Sequence, residues 1–396
     1  MIPPAKPMIT FNKHTFAHWL FNGKTLLTLY CVVAVVATIH KLLFGPFVHE
    51  GIHYESLQNF AIFRNAFFHL IHQQDIYARF INEQWDFYKY SPTFALLMFP
   101  MAILPYWAGA ITWNLINVLV LYFAVQTIAS VNNRAKSYML WFIVLSMLAS
   151  LQNAQSNALM AGLMLGAFNA KERGNNALAA LCIMLSAYLK LFGIAALLPC
   201  MLARGRWKLL GYTALWAILL FAVPLAVVSP KQLMFLYQSW CHLIQTDHSA
   251  SVGLSFMAWL HSWFGLNISK NQILLVGAFL LMVPLLRFSA YGNTKFRLLL
   301  MSSVLLWVVL FNHMAESPTF IIAVSGVALW YFSQPVSITN RILLAMVFIF
   351  SCLSPTDIMP HYVRQHFIKP YVLMAVPCIF VWFKIQFDSF RCKAAA

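Results

Sequence analysis

From Leu26 to Ile39 the sequence LLTLYCVVAVVATI carries no charged side chain, and uncharged runs of this kind recur to the end of the chain. A helix crosses the hydrocarbon core of a bilayer in about 20 apolar residues, and a run this greasy cannot face water along its length. Only 9% of the 396 residues are charged and 61% are hydrophobic, where a soluble globular chain carries roughly 25% charged residues. The deficit spans the whole sequence, so lipid is the solvent of most of this chain. Length converts into membrane crossings rather than soluble domains.

The first crossing is expected at about 24–43, preceded by Lys6, Lys13 and Lys24. These lysines put the N-terminus in the cytoplasm by the positive-inside rule. No small-residue cleavage site follows the run, so a retained first helix is expected. Residues 44–91 then form a first outer, periplasmic loop. Further crossings are expected at about 92–105, 107–128, 138–152, 155–170, 176–200, 208–228, 272–288, 296–312, 318–333, 341–353 and 368–386, with a second large outer loop at 229–271. The result is a single transmembrane unit over 1–396 with about 12 helices and both termini cytoplasmic.

Arg204, Arg206, Lys208, Arg287, Lys295, Arg297, Arg341, Lys384, Arg391 and Lys393 fall inside in this scheme, whereas Arg134, Lys136, Lys171 and Arg173 fall outside, against the rule. Segments 92–105, 138–152 and 341–353 are short for a crossing and suit broken or re-entrant helices, which are tolerated where backbone is buried in protein or lines a cavity. No internal repeat is visible, which weighs against repeat-built transporters. The net charge of +16 is carried in short basic runs between apolar segments, the pattern of a cytoplasmic face rather than of a nucleic-acid surface. The seven cysteines are scattered without a Cys-x-x-Cys pair and are read as packing residues.

Polar side chains stand out against this background. Of ten acidic residues, Glu50, Glu55, Asp75, Glu83 and Asp86 gather in the first loop. Phe60, Phe63, Phe67 and Leu70 recur there at helical spacing, with Arg64, Asn65, His69 and His72 elsewhere on the turn. The pattern predicts an amphipathic helix, either lying along the outer membrane surface or packed against neighbouring protein. The break LQNAQSNA sets Gln152, Asn153, Gln155 and Asn157 between apolar runs, to satisfy backbone at a helix break or to bind sugar hydroxyls. Lys190 lies in LSAYLKLFGIAALL, where an ammonium needs an anion partner, a wet cavity or a snorkelling path. A structural ion pair and a ligand for an anionic group are both open for it. In NHMAESPT, His313 and Glu316 stand at a helix junction, and Glu316 either caps the next helix or serves a binding or catalytic site. Histidines 49, 53, 69 and 72 with Glu50 or Asp75 match no metal-ligand spacing, and no metal is expected. Asn267-Ile-Ser269 is a lone glycosylation sequon, a weak signal.

Five short stretches follow one another over roughly residues 25–330: Asn59-Phe60-Ala61-Ile62-Phe63, Phe87-Tyr88-Lys89-Tyr90-Ser91-Pro92, Ala154-Gln155-Ser156-Asn157, Lys190-Leu191-Phe192-Gly193 and Glu316-Ser317-Pro318. In order and placement they resemble glycosyltransferase family 87, the polyprenyl-phosphate-sugar-dependent transferases of the multi-spanning GT-C fold. That family opens its first outer loop with an Asp-Phe/Leu-x-x-Tyr-like motif. An aromatic-x-Tyr-x-Pro stretch, a Gly-Gln-x-Asn turn, a membrane-embedded Lys-x-x-Pro and a Ser-Pro junction come after it. Each motif is short, and their order carries the weight. The family's catalytic base is the aspartate of the first motif, where this chain has Asn59. An amide cannot take a proton from an attacking hydroxyl. Gly-to-Ala at 154 and Pro-to-Gly at 193 are milder departures.

The resemblance implies an all-α polytopic GT-C bundle that transfers a hexose, mannose being the expectation, from a polyprenyl-phosphate donor to a lipid or glycan acceptor. The site would face outward from a plasma (inner) membrane, and no cofactor is expected. Glu55, Asp75 or Glu316 would be the base, Glu55 sharing a face with Asn59 if that segment is helical. Lys190 and Arg64 would hold the departing phosphate, while Asn59, Tyr90, Gln155, Asn157 and His313 would contact substrate. A transporter or flippase of an anionic or lipid-linked substrate, or a non-catalytic binder of lipid phosphate, are the other readings.

Overall fold

The computed structural model describes residues 20–246 and 252–392, so Lys6, Lys13 and Lys393 lie outside the described residues. Helix α1 spans Gly23–Leu43 and starts where the Asn22 side chain accepts from Lys24 N. A hairpin follows, β1 Phe47–His49 paired antiparallel with β2 Ile52–Tyr54. Its turn residues Glu50 and Gly51 have φ of 51° and 80°, the left-handed pair that a two-residue hairpin turn requires. Next come α2 Gln58–Ile71, α3 Pro92–Leu97 and α4 Phe99–Ala102. Helices α5 Tyr106–Gln126, α6 Asn133–Gln152, α7 Asn157–Glu172 and α8 Asn176–Leu189 run back and forth. A 3₁₀ turn at Leu191–Ala196 leads to α9 Leu197–Met201 and α10 Arg206–Ala222. The second loop holds α11 Pro230–Thr246 and α12 Phe256–Phe264. Helices α13 Lys270–Met282, α14 Thr294–Leu310, α15 Phe320–Phe332, α16 Ile338–Val347 and α17 Val376–Phe390 complete the bundle.

Gly23–Leu43, Tyr106–Gln126, Asn133–Gln152 and Arg206–Ala226 are long and apolar enough to cross a membrane, and shorter apolar helices stand among them. The chain is a multi-pass membrane protein. Helix α15 is buried at every position from Phe320 to Trp330, and α14 at nearly every position from Phe296 to Leu310. A helix that is apolar all round belongs at the centre of a bundle, and these two pack on each other there. Helix α7 approaches α5 without a side chain between them. A Cβ built on Gly162 would lie 2.7 Å from Leu121 N and 2.8 Å from the Val120 carbonyl carbon.

The backbone between the helices meets at two ends. At one, Tyr122 Oη donates to Gly23 O (2.7 Å), Ser137 Oγ to Phe21 O (2.9 Å) and Lys136 Nζ to Gln126 O (2.9 Å). At the same end Arg173 Nη2 donates to Thr127 O (2.7 Å), Lys171 Nζ to Arg204 O (2.8 Å), and Arg297 pairs with Glu172 at 2.7 Å. The other end carries the first loop, the α6–α7 turn and residues 312–319.

This corrects the expected order of crossings. Segment 92–105 is two short helices rather than a span, and six residues of helix reach only about 9 Å at 1.5 Å per residue. Segment 176–200 is broken at Lys190, whose extended backbone (φ −145°, ψ 126°) ends α8. One expected crossing is lost and one turn is gained. Arg134, Lys136, Lys171 and Arg173, expected on the opposite side, stand at the end that holds Gly23. The segment expected at 138–152 starts earlier, at Asn133, because Asn132 Oδ1 accepts from Ala135 N at 2.8 Å.

The first-loop helix packs against protein. In α2, Phe60 and Phe63 are fully buried, Phe63 meeting Phe94 and Trp113 at ring distances of 5.2 and 5.6 Å. His69 is 6% exposed, stacks on Phe80 at 3.7 Å and meets Glu83 at 3.0 Å.

Gly162→Ala must push α7 off α5 and should cost about 1–3 kcal/mol, read as a lower thermal midpoint in detergent; an unchanged midpoint would refute the backbone contact. Burial holds the His69 imidazole below its usual pKa, and Glu83 opposes without reversing it. The unfolded loop therefore binds more protons than the folded one, so this contribution to stability is present above about pH 6.5 and lost as pH falls through the folded value. Amide exchange over 58–90, corrected for intrinsic rate, should show weaker protection at about pH 5 than at about pH 7.5, and His69→Gln should remove the difference.

Candidate active site

The end opposite the basic contacts holds a cavity of about 650 Å³. Its walls come from β1, α2 and residues 85–90 of the first loop, from the α6–α7 turn, from Lys190–Phe192, from α11, and from 312–319. Three local devices build it.

The first is the break at Lys190. Lys190 N still bonds Ser186 O at 2.8 Å, and the chain then turns so tightly that a Cβ on Gly193 would lie 2.5–2.7 Å from Ser186 atoms. Glycine permits that approach. The break turns the Lys190 side chain into the cavity, where Nζ donates to Asn157 Oδ1 at 2.7 Å. The ammonium also lies 5.9 Å from the Tyr90 ring centre and 6.0 Å from that of Phe192, within reach of both quadrupoles.

The second device is the α6–α7 turn. Ala154 stands at φ 47°, where a Cβ costs about 1–2 kcal/mol. Side chains of α5 hold the turn: Trp113 Nε1 donates to Ala154 O (2.9 Å), Asn114 Nδ2 to Leu151 O (3.1 Å), and Asn117 Oδ1 accepts from Leu159 N (3.0 Å). The turn aims Gln152, Asn153 and Gln155 at the cavity.

The third is Glu316. Its carboxylate caps the short 3₁₀ turn Ser317–Thr319, and Thr319 Oγ1 accepts from Glu316 N at 3.3 Å. The same carboxylate accepts from Gln155 Nε2 at 3.0 Å. Asn157 Nδ2 donates to Gln155 Oε1 and, at 3.1 Å, to Pro318 O. An unbroken line therefore runs from the Lys190 ammonium through Asn157 and Gln155 to Glu316. Glu316 thus stands at the start of that turn and lines the cavity as well.

Asn59, Tyr90, Gln155, Lys190, His313 and Glu316 line the cavity, and Asn157 stands directly behind Lys190. Asn59 Nδ2 donates to Asn153 O at 2.9 Å, tying α2 to the α6–α7 turn. Arg64, Glu55 and Asp75 are not brought to it. Arg64 Nε donates to Ala102 O at 3.1 Å and its guanidinium lies over Phe68; one turn along α2 from the cavity face, it closes α4 onto the first loop. Glu55 precedes the helix, which starts at Gln58, and is exposed, so it shares no helical face with Asn59. Asp75 accepts from Ser239 Oγ at 3.0 and 2.8 Å and from Tyr77 N at 3.1 Å, stapling the first loop to α11.

The first-loop carboxylate that does line the cavity is Asp86, next to Trp85 and Lys89. Lys89 Nζ lies 3.2 Å from Asp86 Oδ1. Its adjacency to Phe87–Pro92 was the available signal. Partial burial keeps the Tyr90 phenol well above its ordinary pKa, and the charges of both Glu316 and Asp86 push it the same way. Tyr90 is therefore a neutral donor within the field of two carboxylates. Among the described residues no group of three or more His, Cys, Asp or Glu side chains is arranged to hold a metal ion.

No curated protein matches the chain by sequence. Among solved structures, the crystal structure of ArnT from Cupriavidus metallidurans bound to undecaprenyl phosphate is similar at 12% identity, covering 92% of this chain and 77% of that one, with a TM-score of 0.41. That likeness is too distant to carry a residue or a ligand across. The sequence model of glycosyltransferase family 87 matches residues 87–355. The match takes in Phe87–Pro92, the Gln155–Asn157 turn, Lys190 and Glu316–Pro318, four of the five stretches that build or border the cavity, and it covers more than half of the sequence: the chain belongs to glycosyltransferase family 87.

Proposed function

We propose that the protein transfers a hexose, mannose being the first candidate, from a polyprenyl-phosphate donor to a lipid or glycan acceptor on the outer face of the plasma (inner) membrane. The observation that carries this reading is the Lys190 ammonium, turned into a family 87 cavity and joined through Asn157 and Gln155 to Glu316. Orientation rests on charge. Lys136, Lys171, Arg173 and Arg297 meet at one end with Gly23, which the positive-inside rule assigns to the cytoplasm. The cavity then opens outward.

In this reading the acceptor oxygen attacks the anomeric carbon while the bond from that carbon to the phosphate oxygen breaks. The electron pair leaves with the phosphate, and Lys190 stabilises the charge that develops there. The acceptor's proton passes to a cavity carboxylate, Asp86 or Glu316. Asn59 and Gln155 offer amide groups to sugar hydroxyls. The leaving group is already an ionised phosphate ester, so the chemistry requires no cofactor.

Purified protein should transfer labelled sugar from a polyprenyl-phosphate donor, and Lys190→Met should lower kcat by about 10²–10³-fold, the usual loss of one charge-stabilising donor. Undiminished transfer by Lys190→Met would remove the ammonium from the mechanism. Asn59→Asp restores the residue found in the family but sets a carboxylate against Asn153 O. It should destabilise by about 1 kcal/mol, lower the thermal midpoint and leave turnover no higher than wild type. A gain in turnover would show that position 59 still awaits its base.

A further inference from the structure

The geometry points to an acceptor subsite at the cavity mouth, in which Trp85 receives the ring of a pyranosyl glycan and Asp86 takes the proton of its attacking hydroxyl. This rests on the transferase reading above and names the acceptor class within it.

The cavity is not uniform. Lys190, Gln155 and Glu316 stand together, and Leu191, Phe192, Leu243 and Ile244 give an apolar wall. His49, Trp85, Asp86 and Lys89 come from the aqueous first loop. Trp85 is 49% exposed and lines the cavity, so its ring is open to a ligand there. It is not on a loose segment. Its backbone N–H is 3.4 Å from Gln58 Oε1, and the preceding turn is closed by bonds of 3.0 Å from Glu83 N and Gln84 N to Phe80 O. The His49 ring meets it in a T-shaped contact at 6.0 Å. A pyranose has one face of C–H groups, which suits the negative face of an indole.

Asp86 supplies the complementary polar group. Lys89 Nζ at 3.2 Å and Phe87 N at 2.7 Å both fall on its Oδ1, fixing the carboxylate with 40% of the side chain exposed. A held carboxylate beside an aromatic face matches a sugar, which offers adjacent hydroxyls and an apolar face together. A long-chain alcohol would instead prefer the apolar wall. Asp86 also shares the cavity with the donor half of the site: Tyr90 lines it too, and the Lys190 ammonium lies over that ring. An acceptor hydroxyl between Asp86 and the anomeric carbon gives its proton to the carboxylate as its oxygen forms the new bond, and polyprenyl phosphate departs with the electron pair.

Methyl mannobioside and a long-chain alcohol serve as competing acceptor probes with full-length protein and polyprenyl-phosphate mannose. The expectation is transfer to the glycoside, with an acceptor KM raised about five- to tenfold by Trp85→Ala and less than about threefold by Trp85→Phe. Asp86→Asn should lower kcat about 10²-fold or more while donor binding, measured without acceptor, is unchanged. Transfer to the alcohol with Trp85→Ala indifferent, or full kcat in Asp86→Asn, would overturn the subsite and leave the transferase reading intact. Saturation-transfer NMR of the glycoside without donor separates the remaining cases. Binding lost in Trp85→Ala with no transfer by wild type would support the subsite and sink the transferase reading. Neither binding nor transfer would end both.

Discussion

The ammonium of Lys190 sets the terms for the cavity end of the bundle. It is a point charge with three donors, largely shielded from water, and the surroundings must compensate it. Asn157 takes one donor at 2.7 Å, and the Tyr90 and Phe192 rings stand near 6 Å. Asn157 is itself bonded to Gln155 and Pro318 O, and Gln155 to Glu316. One cation therefore ties the end of α8 to the start of α7 and to the turn that opens α15. Polar networks of this kind behave as a unit, so the position of Glu316 is partly a property of Lys190.

Irregular backbone gathers at the same end. The extended residue at 190 and the left-handed one at 154 both interrupt helices, and unpaired amide groups are tolerated at membrane depth only inside protein or beside a cavity. Helix α5 supplies the compensation. Trp113, Asn114 and Asn117, each buried in an otherwise apolar helix, bond to Ala154 O, Leu151 O and Leu159 N. Two buried asparagines in an apolar helix thus have a mechanical explanation: they service the break in a neighbouring one.

The sequence exposes these features unevenly, for physical reasons. Lys190, Glu316 and the Gln155–Asn157 turn are visible because a polar group amid apolar residues is costly and must be answered by structure. Arg64, Glu55 and Asp75 belong to a loop already rich in polar residues, where a charge has many ways to be satisfied. Their true partners, Ala102 O, bulk solvent and Ser239, are set by tertiary approach. The same holds for segment 92–105. Its composition is that of a crossing, but Ser91 caps one helix and Met98 closes it after six residues. Charge carries the missing information: Arg134, Lys136, Lys171 and Arg173 share the side of Gly23 only in a bundle where 92–105 does not cross.

Position 59 shows how one hydrogen bond can redistribute chemistry along a loop. A carboxylate there would face Asn153 O with lone pairs on both sides, whereas the amide donates to it at 2.9 Å and closes the cavity wall. Donation and proton acceptance cannot be served by one ionised side chain in that place. The carboxylates that line the cavity stand elsewhere, at Glu316 and at Asp86, where the donors are an amide, a backbone N–H and an ammonium rather than a carbonyl. The loss of an acid at 59 is therefore compatible with a working cavity, because the wall needs a donor there and the acids already have better-matched neighbours.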